Sequence, residues 1–200
     1  MKKTMLGALL VTGFCGQAAL AGNPAERAKD RAELADDRRE LADDRVDFHR
    51  LNALVEDWHK ARIKHDGALE RRADKGLNVW IRQEIVESRQ EVADARAEVR
   101  GSKREAHRDP LRERRDDARD LRDDRKDLAR ERVETGRVLA IARELKVMQP
   151  RFVDNTAGVP LYQKKSALLR ELQTLAAKEI ARDQVEIRED RRELHEDRRR

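Results

Sequence analysis

Apolar residues recur at every third or fourth position over two stretches of the chain. Residues 51–69 follow this helical spacing, and residues 77–99 place apolar side chains at the a and d positions of a heptad. Between them, Gly67 and the Asp74-Lys75-Gly76 run favour the end of a helix. We therefore predict two long helices that are separated by a break near residues 67–76.

The second half of the chain predicts two further helices. A break near residues 101–110 ends in Pro110, which favours the first turn of a helix that continues to about residue 148. Residues 149–160 contain two prolines and one glycine and are typical of a loop. A C-terminal helix follows over residues 161–200, and helices one to three thus occupy residues 22–148.

These elements predict an all-α fold, namely an elongated antiparallel bundle of about four long helices with coiled-coil-like, highly charged segments. Short connections between consecutive helices favour antiparallel neighbours. In that order, the apolar portions of all four helices meet at one end of the bundle, and the charged segments meet at the other. Trp58 and Trp80 belong to the apolar faces and are predicted to anchor the core.

Residues 1–21 have the features of a secretory signal peptide. Two lysines are followed by an apolar run over residues 5–14 and by Ala19-Leu20-Ala21, which matches a small-x-small cleavage site. The apolar run is too short for an ordinary transmembrane helix, so we expect a periplasmic protein without a transmembrane segment in its mature chain. Cleavage after Ala21 also removes Cys15, the only cysteine, which leaves no disulfide and no thiolate nucleophile.

Charged residues make up 44% of the chain, but the two signs are closely interleaved, with 46 Lys and Arg against 41 Asp and Glu. A protein that binds along a phosphate backbone needs unpaired cations on one face, so we do not expect nucleic acid as a partner. The sequence also has no nucleophile-elbow motif, no Gly-rich phosphate loop and no dinucleotide fingerprint. We therefore predict that the protein is not an enzyme.

Three segments repeat acidic residues at the same 3-1-3-3-1 spacing. On a helix that turns about 100° per residue, each set falls within an arc of roughly 120° and forms a stripe on one face. We refer to them as the first, second and third acidic stripes. They comprise, in order, Glu33, Asp36, Asp37, Glu40, Asp43 and Asp44; Glu113, Asp116, Asp117, Asp120, Asp123 and Asp124; and Glu186, Glu189, Asp190, Glu193, Glu196 and Asp197.

The stripes require compensation, because acidic residues four positions apart on one helix repel each other. One hypothesis is that arginines of a neighbouring helix, such as Arg112, Arg115, Arg119 and Arg122, face the carboxylates. The other is that the carboxylates bind a hard cation such as Ca²⁺, which prefers several oxygen ligands. The eighteen stripe residues are therefore candidate metal ligands. No other cofactor is expected, since no two histidines have the i,i+4 spacing of a helical zinc site.

The composition and fold class predict a non-enzymatic periplasmic protein that acts as a chaperone, scaffold or adaptor through its charged surface. Its expected partners are envelope proteins or unfolded clients, because an elongated bundle with one apolar half can hold a client segment in a groove. In general character the chain resembles the small helical periplasmic chaperones, although it lacks their LTxxQ repeats. The alternative is a cation-binding or cation-sensing protein that uses the stripes. Self-assembly into a homo-oligomer is a third hypothesis, since leucines within the charged segments can also pair between chains.

Overall fold

The computed structural model describes residues 24–108, 114–153 and 158–196, and α-helices account for nearly all of them. The helices are α1 (Pro24–Lys64), α2 (Gly67–Arg108), α3 (Arg114–Val153) and α4 (Val159–Glu196). These ranges contain no strand, and none of their helices has an apolar stretch long enough to cross a membrane. The predicted all-α fold with four long helices is confirmed.

The helices form an antiparallel bundle in which α1 packs against both α2 and α4. Helix α2 also packs against α3, whereas α3 and α4 touch over a shorter length. This order brings the end of α1, the start of α2, the end of α3 and the start of α4 to one end of the bundle. We call that end the apolar half and the other end the charged half.

One continuous core fills the apolar half, and all four helices contribute to it. Trp58 and Trp80 are only 2% and 3% exposed, so the prediction that they anchor the core is confirmed. Burial of each large apolar side chain contributes about 1.5–3 kcal/mol. The buried residues of this core are Leu51, Val55, Trp58, Ala73, Leu77, Trp80, Ile81, Ile141, Met148, Leu168, Leu169, Leu172 and Ala176.

The charged half has two small cores instead, and each of them joins only two helices. Their buried residues are Leu34, Leu41 and Ile187 between α1 and α4, and Val92, Ala95 and Leu128 between α2 and α3. A leucine at every second turn is too sparse to build a core that spans all four helices. The charged half is therefore divided into an α1/α4 pair and an α2/α3 pair.

The first helix break lies at His65 and Asp66 instead of within the predicted range 67–76. Two backbone amides in the first turn of α2 donate hydrogen bonds of 3.0 Å to Asp66 Oδ1, which caps the helix. His65 takes a left-handed conformation with a φ of 54°, as residues that follow a helix often do. Because the cap decides where α2 begins, the Asp74-Lys75-Gly76 run continues inside the helix.

The later boundaries differ less from those that the sequence predicts. Helix α2 continues through most of the expected break at 101–110, and its last described residue is Arg108. The predicted loop over residues 149–160 is shorter, because α3 continues through Pro150 to Val153. The proline removes only one backbone hydrogen bond, the one to the carbonyl four residues before it. Residues 109–113 and 154–157, and the predicted signal peptide over residues 1–21, lie outside the described residues.

Two glycines within helices are expected to respond differently to replacement by alanine. A Cβ at Gly136 would meet no atom within 4 Å, so Gly136→Ala should raise the free energy of unfolding by about 0.5–1 kcal/mol through lower backbone entropy in the unfolded chain. A Cβ at Gly76 would collide with the half-buried side chain of Leu54, so Gly76→Ala should bring no gain or a loss. Urea denaturation compares the two variants, and an equal gain at both positions would contradict this packing.

Candidate functional site

A groove opens in the apolar half of the bundle between α2 and α3. It encloses a cavity of about 990 Å³, which is as large as the pockets that commonly hold ligands. Residues 67–85 of α2 and 139–152 of α3 form its walls, and the end of α1 and Tyr162 of α4 complete it. We call this cavity with its walls the groove.

The groove combines an apolar floor with a basic rim. Buried or half-buried side chains form the floor, namely Ile81, Ile85, Leu139, Ala142 and Phe152. Exposed cations form the rim, namely Arg71, Lys75, Arg82, Arg143 and Lys146. Such a surface can bury apolar groups of a ligand while it attracts negative charge around them.

A buried ion pair joins α4 to α2 beside the groove. Lys165 is only 6% exposed, and its Nζ lies 2.5 Å from Oδ1 of Asp74, which lines the groove. The ammonium also lies 4.9 Å from the ring centre of Trp58 and 4.4 Å from that of Phe152. Burial lowers the pKa of Lys165, and the charge of Asp74 opposes this shift. The ion pair with Lys165 therefore neutralises most of the negative charge that Asp74 would otherwise present to a ligand in the groove.

Aromatic contacts fix the position of Tyr162, the residue of α4 that lines the groove. Tyr162 meets Phe152 edge to face at 4.8 Å, and the Arg62 guanidinium lies 3.0 Å above the Tyr162 ring. On the same side, Trp58 Nε1 is buried and has no hydrogen-bond partner among the described residues. Trp80 Nε1, in contrast, donates to the carbonyl of Asp47 at 3.0 Å.

Sequence reasoning did not identify Lys165, although the pattern of α4 contains a signal for it. Lys165 stands at the helical spacing of the buried residues Leu168, Leu172 and Ala176. A lysine at an apolar-face position is almost never buried without a partner. That partner is 91 positions away in the sequence, so only the fold reveals it.

The acidic stripes occupy the charged half, and their residues do not all face the same way. Asp37 and Asp190 share a side-chain hydrogen bond between α1 and α4, which brings the first and third stripes together. Of the ten stripe side chains that the structure describes, the six exposed ones are Asp36, Glu40, Asp43, Asp123, Glu186 and Glu189, and the four half-buried ones are Asp37, Asp44, Asp124 and Asp190. The side chains outside the described set are Glu33, Glu113, Asp116, Asp117, Asp120, Glu193, Glu196 and Asp197.

The hypothesis that arginines of a neighbouring helix face the stripes is wrong for Asp37 and Asp44, and it stays a prediction for the other stripe residues. Arg112 and the side chain of Arg115, two of the arginines that it names, lie outside the described residues. Asp37 meets Asp190, and Asp44 shares a side-chain hydrogen bond with Asp183, so carboxyl groups face each other across α1 and α4. A carboxyl group can donate such a bond only while it keeps its proton. The heptad phase that buries Leu34 and Leu41 against α4 also turns these acids inward, which explains the difference.

A layer of carboxyl groups lies between the two helix pairs of the charged half. We call it the carboxyl layer, and it comprises Asp44, Glu84, Glu91, Glu179 and Asp183. Burial, with a smaller effect of neighbouring carboxylates, raises the pKa of Glu179 to about 9 and that of Asp44 to about 8. The same causes raise the pKa values of Glu84 and Glu91 to about 7. Most of these residues lie outside the stripes, so the sequence pattern did not identify them.

One arginine crosses between the helix pairs beside this layer. Arg182 of α4 contacts Glu131 at 3.0 Å and Glu134 at 2.6 Å, both on α3. Its charge is thereby divided between two carboxylates of α3. The described side chains include no group of three or more His, Cys, Asp or Glu that is arranged to hold a metal ion. Binding of Ca²⁺ by the stripes stays a prediction.

The structure thus offers two chemically distinct regions. The groove can take up an amphiphilic ligand, and the carboxyl layer can hold protons near neutral pH. No protein-family model matches this chain, and no match is found among curated proteins or solved structures.

Proposed function

We propose that this protein is a non-enzymatic periplasmic chaperone or adaptor that binds amphipathic segments of envelope proteins or unfolded clients in the groove. The observation that supports this proposal is the cavity of about 990 Å³ with its apolar floor and basic rim. A concave cavity of this volume, with an apolar floor and a few polar groups around it, is typical of a binding site.

The remainder of the molecule suits such a role. Its surface is rich in charges of both signs, which keeps a complex with an aggregation-prone segment in solution. The single core of the apolar half supports the groove on rigid helices, and a preformed surface lowers the entropic cost of binding. Client binding requires only such a surface, so the proposal needs no catalytic group.

The proposal is tested by filling the groove. Ala142→Trp places a large side chain on the groove floor, whereas Ala177→Trp places it at an exposed position of α4 outside the groove. We expect residues 22–200 to suppress the aggregation of a reduced, unfolded client. Ala142→Trp should lower the affinity for the client by about tenfold or more, which corresponds to a loss of about 1.4 kcal/mol of binding free energy. Light scattering measures the suppression, and circular dichroism verifies that both variants are folded.

Ala177→Trp is the matched control and should behave like the unchanged protein. If the unchanged protein fails to suppress aggregation and retains no envelope protein, the proposed function is wrong. Equal activity of both tryptophan variants would place client binding elsewhere on the surface.

A further inference from the structure

We infer that the occupant of the groove is an acidic amphipathic helix, with an apolar stripe that meets the groove floor and carboxylates that meet its rim. This inference rests on the proposed function and names the class of client segment. It follows from the shape of the groove, from the distribution of its charges and from the absence of partners for them among the described residues.

The shape of the groove fits a helix. The lining residues of α3 include Leu139, Ala142, Arg143 and Lys146, which recur at a spacing of three or four and therefore form one face. Residues 67–85 of α2 form the opposite wall. At 1.5 Å per residue the two walls are about 27 and 20 Å long, enough to hold about four turns of an added helix. Two antiparallel helical walls with an apolar floor are the usual receptor for a helix in a groove.

The rim cations extend along the groove instead of gathering at one end. Thr135 of α3 donates a hydrogen bond of 3.2 Å to the carbonyl of Ser88 of α2, which defines the register of these antiparallel helices. Arg143 follows Thr135 by eight residues, and residue 80 precedes Ser88 by eight residues. In antiparallel helices Arg143 therefore lies opposite residue 80, between Lys75 and Arg82 of the other wall. A fatty acid or phospholipid carries its negative charge at one end only, whereas a helix can carry carboxylates along its whole length. The distribution of charge therefore favours a peptide helix.

The rim cations are available to a ligand. None of the five forms an ion pair with a carboxylate among the described residues, although other cations of the bundle, such as Arg137 and Arg182, do. Of the two carboxylates that line the groove, Asp74 is neutralised by Lys165. Only Glu70 then opposes the rim, so the lining is strongly positive. Carboxylates placed along a bound helix would supply the missing partners.

The test uses three labelled helical peptides of about 16 residues that share one apolar face. Their polar flanks carry glutamate, glutamine or lysine, and fluorescence anisotropy measures their affinity for residues 22–200. We expect the glutamate peptide to bind at least about tenfold more tightly than the glutamine peptide and the lysine peptide to bind most weakly. Higher salt should reduce the difference, because the rim is exposed to solvent.

A charge-reversed groove provides the decisive variant. Lys75→Glu, Arg82→Glu and Lys146→Glu together should invert the order of the glutamate and lysine peptides. The matched control changes three exposed cations of α4 outside the groove, Arg170→Glu, Lys178→Glu and Arg188→Glu, and should preserve the order. Circular dichroism and thermal unfolding compare the folding of the two variants.

The other outcomes separate this inference from the proposed function. If all three peptides bind equally and Ala142→Trp abolishes their binding, the inference that the occupant is acidic is wrong. The groove would then recognise clients by apolar contact alone. Displacement of the glutamate peptide by a fatty acid that binds more tightly would also overturn the inference and assign the groove to lipid. If no peptide binds and no unfolded client is retained, both the inference and the proposed function are wrong.

Discussion

Replacement of Asp74 by alanine is expected to lower the free energy of unfolding by about 3–5 kcal/mol, because it leaves the buried charge of Lys165 without its partner. Lys165 is 6% exposed, and its ammonium lies 2.5 Å from the Asp74 carboxylate. Its other close neighbours are the rings of Trp58 and Phe152, which stabilise a buried cation less than a carboxylate does. Urea denaturation followed by circular dichroism measures the loss.

Two further variants distinguish the buried ion pair from a surface effect. Asp74→Ala combined with Lys165→Met removes both charges and should restore most of the stability, since an apolar replacement of a buried pair is often neutral. Asp123→Ala breaks an exposed pair with Lys126 and should cost less than about 1 kcal/mol. A loss in Asp74→Ala as small as that in Asp123→Ala would show that the ion pair is not what stabilises this contact.

The stability of the protein is expected to decrease as the pH rises from about 5 to about 9, by roughly 3–5 kcal/mol after allowance for solvent screening of the carboxyl layer. Burial raises the pKa of Glu84 to about 7 and that of Glu179 to about 9. In the folded protein these groups keep protons that the unfolded chain has already released, so the folded state binds more protons in this range. Their stabilising contribution is therefore complete at low pH and is lost as the pH rises through the raised values. Thermal unfolding at a series of pH values measures the effect.

Glutamine replaces one proton-holding carboxyl of this layer without a change of shape. Glu179→Gln stays neutral at every pH, so it should raise the melting temperature at about pH 9 and flatten the pH dependence. Glu56→Gln is the control, because Glu56 is exposed and pairs with Lys60 on the surface. A melting temperature that increases with pH, or an equal response of both variants, would contradict the buried state of the carboxyl layer.

The layer also indicates where the molecule should respond to pH. Glu84 and Glu91 belong to α2, whereas Asp44 and Glu179 belong to α1 and α4, so their ionisation repels the α2/α3 pair from the α1/α4 pair. The small cores within each pair do not cross this boundary. Loss of stability should therefore begin in the charged half, while the continuous core of the apolar half holds the four helices together.

Much of the fold could be predicted from the sequence, because helical periodicity is a local property of the chain. The apolar positions from Leu51 and from Leu77 correctly indicate which faces of α1 and α2 are buried. The predicted position of the first break, near residues 67–76, is less accurate, because α1 ends at Lys64 and α2 begins at Gly67. The Asp66 side chain caps α2 there, and Gly76 is accepted inside the helix where it packs against Leu54.

The candidate sites were less predictable, since they depend on contacts between distant parts of the chain. A stripe of carboxylates can be recognised on one helix, but not what faces it across the bundle. Asp37 and Asp44 meet carboxyl groups of α4, whereas Asp36 on the same stripe pairs with Arg39 of its own helix. The rim cations of the groove are spaced along two helices whose register only the antiparallel packing defines.

The helical pattern of the chain already predicts the helical class of this protein, the order of its four helices and the separation of an apolar half from a charged half. These properties follow from the spacing of apolar residues, because each helix must bury its apolar face. Three features become visible only once the helices pack. Lys165 lies buried beside Asp74, carboxyl groups face each other between the helix pairs, and five cations surround an apolar groove. Each of these depends on the distance between residues far apart in the chain, and the burial that shifts the pKa values of Lys165 and of the carboxyl layer arises only when the helices pack.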